Sequence, residues 1–367
     1  MLPFVLRWKA MQNATELRDH RPPAREACVL LLALTLPIAA LSQTPAPANA
    51  PTSPSITTTS TLVIVPALVR DASGQLLHTL HASDFQLTDN GVPQHVALEN
   101  TEHQPLSVVV LLQTGGAAAR QFPSYAKLGT MLSYMVGDSP HHIAMVTFDS
   151  QPEYLWDFTR NIADLEDGFT QPDPGDGGAA ILDAVNKGID LLRQQPPEER
   201  RILILVSQTH DDGSQARDED IIRSLGENNI TIECLTFSPE KAWLKDQFTQ
   251  PRHENPLYQL GPNGPWLLHT INLSRPLSMA IKAMRTDTSA AIATLSGGES
   301  LPFGSKAELE QQFTLLANHF ASSYTLSFRP SSKQPGFHSL QLRIAGQPGL
   351  QVSARSSYWA TDPGTPK

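Results

Sequence analysis

The sequence has little cysteine and little charge. Only two of its 367 residues are Cys, which excludes a disulfide-rich scaffold and a multi-cysteine zinc site. Charged residues make up 17% of the chain, with 36 Asp and Glu against 27 Lys and Arg. No basic block occurs, so a nucleic-acid backbone is not an expected partner. The motifs of common enzymes are also missing. There is no G-x-S-x-G elbow, no H-E-x-x-H pair, no G-x-G-x-x-G turn and no Walker A loop, so no nucleophile, zinc or phosphate chemistry is announced. What remains is 40% hydrophobic, with 30 Pro and 22 Gly. That is enough apolar residue for a sizeable core, divided by turns and at least one linker.

The first sixty residues read as a delivery segment. Arg7, Lys9, Arg18, Arg21 and Arg25 precede an uncharged run, Ala27 to Leu41, with small residues after it. The run falls short of the roughly 20 apolar residues of a membrane span and fits a secretory signal, with cleavage after Ser42. This reading makes 1–42 a leader and the protein secreted or periplasmic. Membrane association is expected only if the leader stays uncleaved. Residues 43–60, rich in Pro, Thr and Ser, read as an extended linker.

The folded part divides into three. Residues 61–104 carry a strand pattern (LVIVPALV, from Leu62), a short strand and an Asn90-Gly91 hairpin signal. In 105–322, apolar runs at Leu106–Leu112, Ile143–Phe148, Arg201–Val206 and Ile230–Phe237 alternate with helical patterns at Arg120–Val136, Ala179–Leu192, Ala216–Leu225, Thr288–Leu295 and Lys306–Phe320. Strand–helix alternation predicts an α/β fold with a doubly wound, mostly parallel sheet. Glu153–Phe158 and Ser300–Phe303 are further strand candidates. Residues 239–277, dense in Pro, read as an insertion without regular structure. Residues 323–360 return to alternating β patterns. Neither β segment alone can cover a core, so the N- and C-terminal segments are expected to form one β-sandwich. Cys234, inside an apolar strand, reads as a buried small hydrophobe, Tyr358-Trp359 as packing residues, and His141-His142 as a surface pair.

The ordered series PLSVVVLLQTGG, IAMVTFDS, RILILVSQTHDDGS and YTLSFRPSS…GFHSLQLRI…SARSSYW resembles the von Willebrand factor A (VWA) domains. It is most similar to the exported acidobacterial VWFA-related proteins, which also share segments like Val69-Arg-Asp-Ala-Ser-Gly74 and Asp84-Phe85…Asp89-Asn-Gly91. The resemblance covers roughly 61–360. It implies a metal-ion-dependent adhesion site on three loops at the C-terminal edge of the sheet: an Asp-x-Ser-x-Ser, a helix-opening Thr and a later Asp. Here the matching positions are Gln113, Gly115 and Ala117, then Ala179, then Gln208. Gly and Ala have no side-chain oxygen, and two neutral amides do not replace the water of a hard divalent ion. The site is therefore expected to be degenerate, with no metal and no cofactor.

The expectation is a non-enzymatic, exported protein-interaction module. Its partner would be a protein of the cell envelope or outside the cell, met by the loop edge and by Trp243, Phe248, Tyr258, Trp266 and Leu267 of the insertion. Two alternatives stand beside it. One is a cation-dependent adhesion module with a shifted site at Asp176, Asp211 and Asp212, near Asp173 and His210. The other is a nucleotide-binding turn at Gly115-Gly116.

Overall fold

The computed structural model describes residues 62–101, 103–238, 274–347 and 349–361. The leader, the linker and the insertion side chains Trp243, Phe248, Tyr258, Trp266 and Leu267 lie outside the described residues. No described helix is long and apolar enough to cross a membrane.

The central sheet is built from β5 (Leu106–Gln113), β6 (His141–Phe148), β7 (Pro152–Thr159), β8 (Arg200–Gln208), β9 (Ile230–Phe237) and β10 (Ser300–Phe303). Among the described residues its order is β10-β9-β8-β5-β6-β7. All neighbours run parallel except β7, which returns antiparallel along β6. Every residue of β5 is buried, as a strand covered on both faces requires. Its alternate side chains divide between two cores. Leu106, Val108, Val110 and Leu112 face one, and Val109 and Leu111 face the other. The first core is closed by α1 (Phe122–Tyr125), α2 (Leu128–Val136), α3 (Glu166–Thr170) and a long helix near the end of this layer, Lys306–Ser322. The second is closed by α4 (Ile181–Arg193), α5 (Asp218–Asn228), α6 (Ser274–Thr286) and α7 (Thr288–Ser296); Lys306–Ser322 is α8.

Two expectations need correction. The single helix foreseen over Arg120–Val136 is a 3-10 turn (Gly116–Gln121) followed by α1 and α2. Lys127, at φ −107° and ψ 3°, separates the two helices. The break leaves Tyr125 fully buried with its hydroxyl 3.4 Å from the Gln113 carbonyl, while Leu128 and Leu132 still face the sheet. The insertion also ends earlier than foreseen, because Ser274–Leu277 begin α6. Pro276 falls in the first turn, where a helix tolerates the missing N–H. Beyond it Ala280, Ala283 and Met284 are buried in the second core.

The expected sandwich is present. One sheet has the order β13-β1-β11-β4 and the other β14-β12-β2-β3, all antiparallel. The strands are β1 (Val63–Arg70), β2 (Phe85–Asp89), β3 (Val92–Gln94), β4 (Val96–Glu99), β11 (Tyr324–Phe328), β12 (Gly336–Ile344), β13 (Gln351–Ala354) and β14 (Ser357–Ala360). Strands from the two ends of the chain thus alternate in the first sheet and meet at the β12–β2 pair in the second. Val65, Leu87, Leu326 and Phe328 sit in the shared core. Asn90 and Gly91 both take positive φ, 48° and 82°, as the β2–β3 hairpin requires.

Sandwich and α/β layer meet through named bonds. Arg355 reaches the carbonyls that end α5, and Asn229, a left-handed C-cap, receives the Ile64 N–H on its Oδ1. Gly226 lies so close to Trp359 that an added Cβ would fall 2.5 Å from its backbone nitrogen. The Arg223 guanidinium covers the half-buried Trp359 ring at 4.8 Å.

Candidate functional site

Parallel strands that enter the sheet from one end leave their loops together at the other, which is where α/β sites are built. Here the C-terminal ends of β5, β6 and β8 carry Gln113, Phe148 and Gln208 into adjacent loops. Gln113, with no exposed surface, accepts the Gln208 N–H on Oε1 (2.8 Å) and donates Nε2 to the Gly115 carbonyl (3.0 Å) and Gln208 Oε1 (3.3 Å). Gln208 Nε2 in turn donates to the His210 carbonyl (2.8 Å). The two amides therefore lock to each other and to their own loops. An amide offers both donors and an acceptor, which lets the two side chains bond to each other and to backbone groups of their own loops.

The other matched positions converge on the same edge. Gly115 is buried and must be Gly, since a Cβ would fall 2.3 Å from the Gly178 carbonyl and 2.5 Å from Asp149 Cβ. Ala179 is buried and exchanges both backbone bonds with Asp212 (2.9 Å each). Ala117 is half-buried beside the first core.

Two acids of the shifted-site alternative, Asp176 and Asp211, are occupied as loop and helix caps. Asp176 accepts the N–H groups of Ser150 (3.1 Å) and Gly178 (2.8 Å) and the Ser150 hydroxyl (2.5 Å). The Ser150 hydroxyl and the Gly178 N–H hold its exposed carboxyl below the ordinary value. Asp211 Oδ1 accepts the Leu182 N–H at the start of α4 (3.0 Å) and the Ser214 hydroxyl (2.5 Å). Asp212 and Asp173 are exposed. Among the described residues, no three His, Cys, Asp or Glu side chains gather as a metal site would need.

The nucleotide reading meets a similar obstacle. The Gly115 N–H is directed to the Phe148 carbonyl (3.3 Å) and the Gly116 N–H to the Asp176 carbonyl (2.8 Å), so neither is left for a phosphate. The start of α4 is filled as well, by Asp211 and by Ser214, which takes the Asp183 N–H (3.1 Å). Ser207, at the end of β8, bonds locally to the Gln208 carbonyl. His141 and His142 are half-buried rather than on the surface; His142 Nε2 accepts from Arg160 Nε (3.0 Å), and His141 meets the Ser139 carbonyl (2.8 Å).

Sequence reasoning missed three residues that shape this edge. Asp149 accepts the N–H groups of Asp176 (3.0 Å) and Gln151 (3.0 Å), and its carbonyl takes that of Ala180 (2.7 Å). Asp183 accepts from Gln215 (2.9 Å) and Ala216 (2.8 Å). Thr288 Oγ1 accepts the Asp211 N–H (3.1 Å). The available signal was position alone: Asp149 follows the β6 run directly, Asp183 opens a helix, and each was a candidate for backbone bonding.

No protein-family model and no curated protein matches the chain. Similar solved structures include an aerotolerance-related membrane protein from Bacteroides fragilis, at 13% identity over 58% of this chain and 98% of that one, with a TM-score of 0.36. Another is the vWF domain of the type V pili tip protein Mfa5 from Porphyromonas gingivalis, at 20% identity over 29% of this chain and 39% of that one, with a TM-score of 0.27. The SpRpn10 VWA domain overlaps at 13% identity over 36% of this chain and 75% of that one, with a TM-score of 0.30. These overlaps are small. The order and direction of the central strands, with helices on both faces, are what make the α/β layer VWA-like.

Proposed function

We propose that the protein is an exported, non-enzymatic interaction module in which a VWA-like edge presents a fixed surface to a protein partner without an ion between them. The interlocked Gln113–Gln208 pair carries this reading. It fills the ligand positions implied by the resemblance with groups that bond to each other, and it holds the loops in shape where a cation otherwise would. Binding would then rest on shape and on hydrogen bonds from the exposed loops, with Trp243, Phe248, Tyr258, Trp266 and Leu267 entering from the sequence alone. The charged leader and apolar run support secretion or periplasmic residence and, with it, a partner in the envelope or beyond it.

The test is capture from the envelope fraction in the presence of a chelator, with the wild type beside an Ala119→Arg, Gln151→Arg double variant. Ala119 is exposed on the 3-10 turn after β5 and Gln151 on the turn between β6 and β7. The expected result is a partner retained in chelator and lost by the variant. A partner released by chelator would contradict the proposal.

A further inference from the structure

The junction of sandwich and α/β layer holds a group of charged side chains far in sequence from the loop edge. Arg70, at the end of β1, donates Nη2 to Glu299 Oε1 at 2.6 Å. His319 of α8 meets Glu299 Oε2 at 2.5 Å and Arg70 Nη2 at 3.1 Å. The backbone N–H of Glu299 donates to Glu233 Oε2 (2.7 Å), and Glu233, on β9, is 7% exposed. Glu233, Glu299 and His319 border a cavity of about 30 Å³ lined on the sandwich side by Ala67, Leu68 and Ser353. Arg200, at the start of β8, also lines it and lies over the Phe320 ring at 4.1 Å.

We propose that this cluster is a pH-operated fastening between sandwich and α/β layer, closed when Glu233 is protonated and Glu299 is ionised.

The charge inventory is small. Arg70 comes from β1, Arg200 from β8, Glu299 from the approach to β10 and His319 from α8. The strands β10 and β13 and the helix α7 contain no ionisable residue. Arg355, whose backbone lies beside Gly297, directs its guanidinium at carbonyls and Asn229. Glu299 therefore holds both Arg70 and His319, and among the described residues ionised Glu233 would have only Arg200 to oppose it.

Burial and the neighbouring Glu299 charge push the Glu233 carboxyl up to about 8. Burial also penalises the Glu299 charge, but His319 and Arg70 outweigh it and hold that carboxyl below its ordinary value. The two groups thus act in opposite senses. Glu233, with its value raised on closure, favours the closed form fully below the ordinary carboxyl value of 4.5 and loses that contribution as the pH rises to about 8. Glu299, with its value lowered, favours closure above 4.5 and loses its contribution as the pH falls below it. The fastening loosens in alkali through one carboxyl and in acid through the other.

Hydrogen exchange on the full chain tests this, at about pH 6 and about pH 9, on the two sides of the Glu233 titration. After correction for intrinsic exchange, protection of the β1 and β13 amides is expected to fall by about tenfold at the higher pH, with β5 unchanged. In Glu233→Gln, whose amide keeps an oxygen for the Glu299 N–H, protection is expected to change less than about twofold. A wild-type profile flat with pH, or an equal fall in the variant, overturns the proposal. A carboxyl ¹³C titration of wild-type Glu233 needs no variant. A midpoint near 8 supports the proposal, and one near 4.5 sinks it.

Discussion

Replacing Arg355 by Met removes one buried cation and takes a donor from five acceptors, of which Asn229 Oδ1 keeps the Ile64 N–H. Arg355 is 2% exposed. Its Nε donates to the Ser357 carbonyl (2.8 Å), Nη1 to the Ile64 carbonyl (3.0 Å) and Asn229 Oδ1 (2.8 Å), and Nη2 to the carbonyls of Leu225 (3.2 Å) and Gly226 (2.9 Å). No carboxylate is among these partners, and burial pulls the guanidinium down to about 10. Hydrogen bonds from a charged donor contribute about 1.5–3 kcal/mol each. Removing the buried charge returns several kcal/mol of desolvation, so the bonds do not add in full. The net loss should be about 3–5 kcal/mol in Arg355→Met. Arg355→Lys, with three donors and no planar fork, should fall between it and wild type, at about 2 kcal/mol. Urea unfolding followed by tryptophan fluorescence measures the difference, with Trp359 as a reporter beside the joint. A Met variant within about 0.5 kcal/mol of wild type would mean that Arg355 does not fasten the joint, because a surface position behaves that way.

Gly115→Ala forces a Cβ to 2.3 Å from the Gly178 carbonyl. It should cost about 2–3 kcal/mol, read as a lowered melting temperature. An unchanged melting temperature would place the Gly115 loop elsewhere. His338, buried with Asp89 (2.7 Å) and Tyr358 (3.0 Å), is pulled down by burial and raised above its ordinary value by its bonds to Asp89 and the Gln334 carbonyl. A raised histidine stabilises the fold fully below its ordinary value of 6.5 and loses this as the pH rises through the folded value. Urea midpoints across that range should therefore fall with pH in wild type more steeply than in His338→Gln. Equal slopes would count against a charged His338.

The core of the α/β layer was legible because its strands are apolar on both faces. LSVVVLL and RILILV leave few alternatives to buried parallel strands, and Gln113 and Gln208 could be placed at their ends by counting. Their mutual hydrogen bonds could not, since the two residues stand 95 positions apart and meet only through the register of β5 and β8. The sandwich was legible as a need to cover two one-sided sheets. Helix α6 was hidden by the prolines before it, and the break between α1 and α2 by an apolar spacing that continues across it. Arg355 looked like one polar residue in an alternating strand, because two of its acceptors come from α5, about 130 residues away. Glu233 gave a signal that went unread: a single acid inside ITIECLTF, in a strand otherwise built for burial.

An edge locked by the Gln113–Gln208 pair should hold its shape without a divalent ion. The direct measurement is the melting temperature of the purified protein with Mg²⁺, Ca²⁺ or Mn²⁺ against a chelator, since any ion that binds only the folded form must raise it. The expected result is the same melting temperature in all four conditions. A rise with one of the ions that disappears in Asp211→Ala would contradict it.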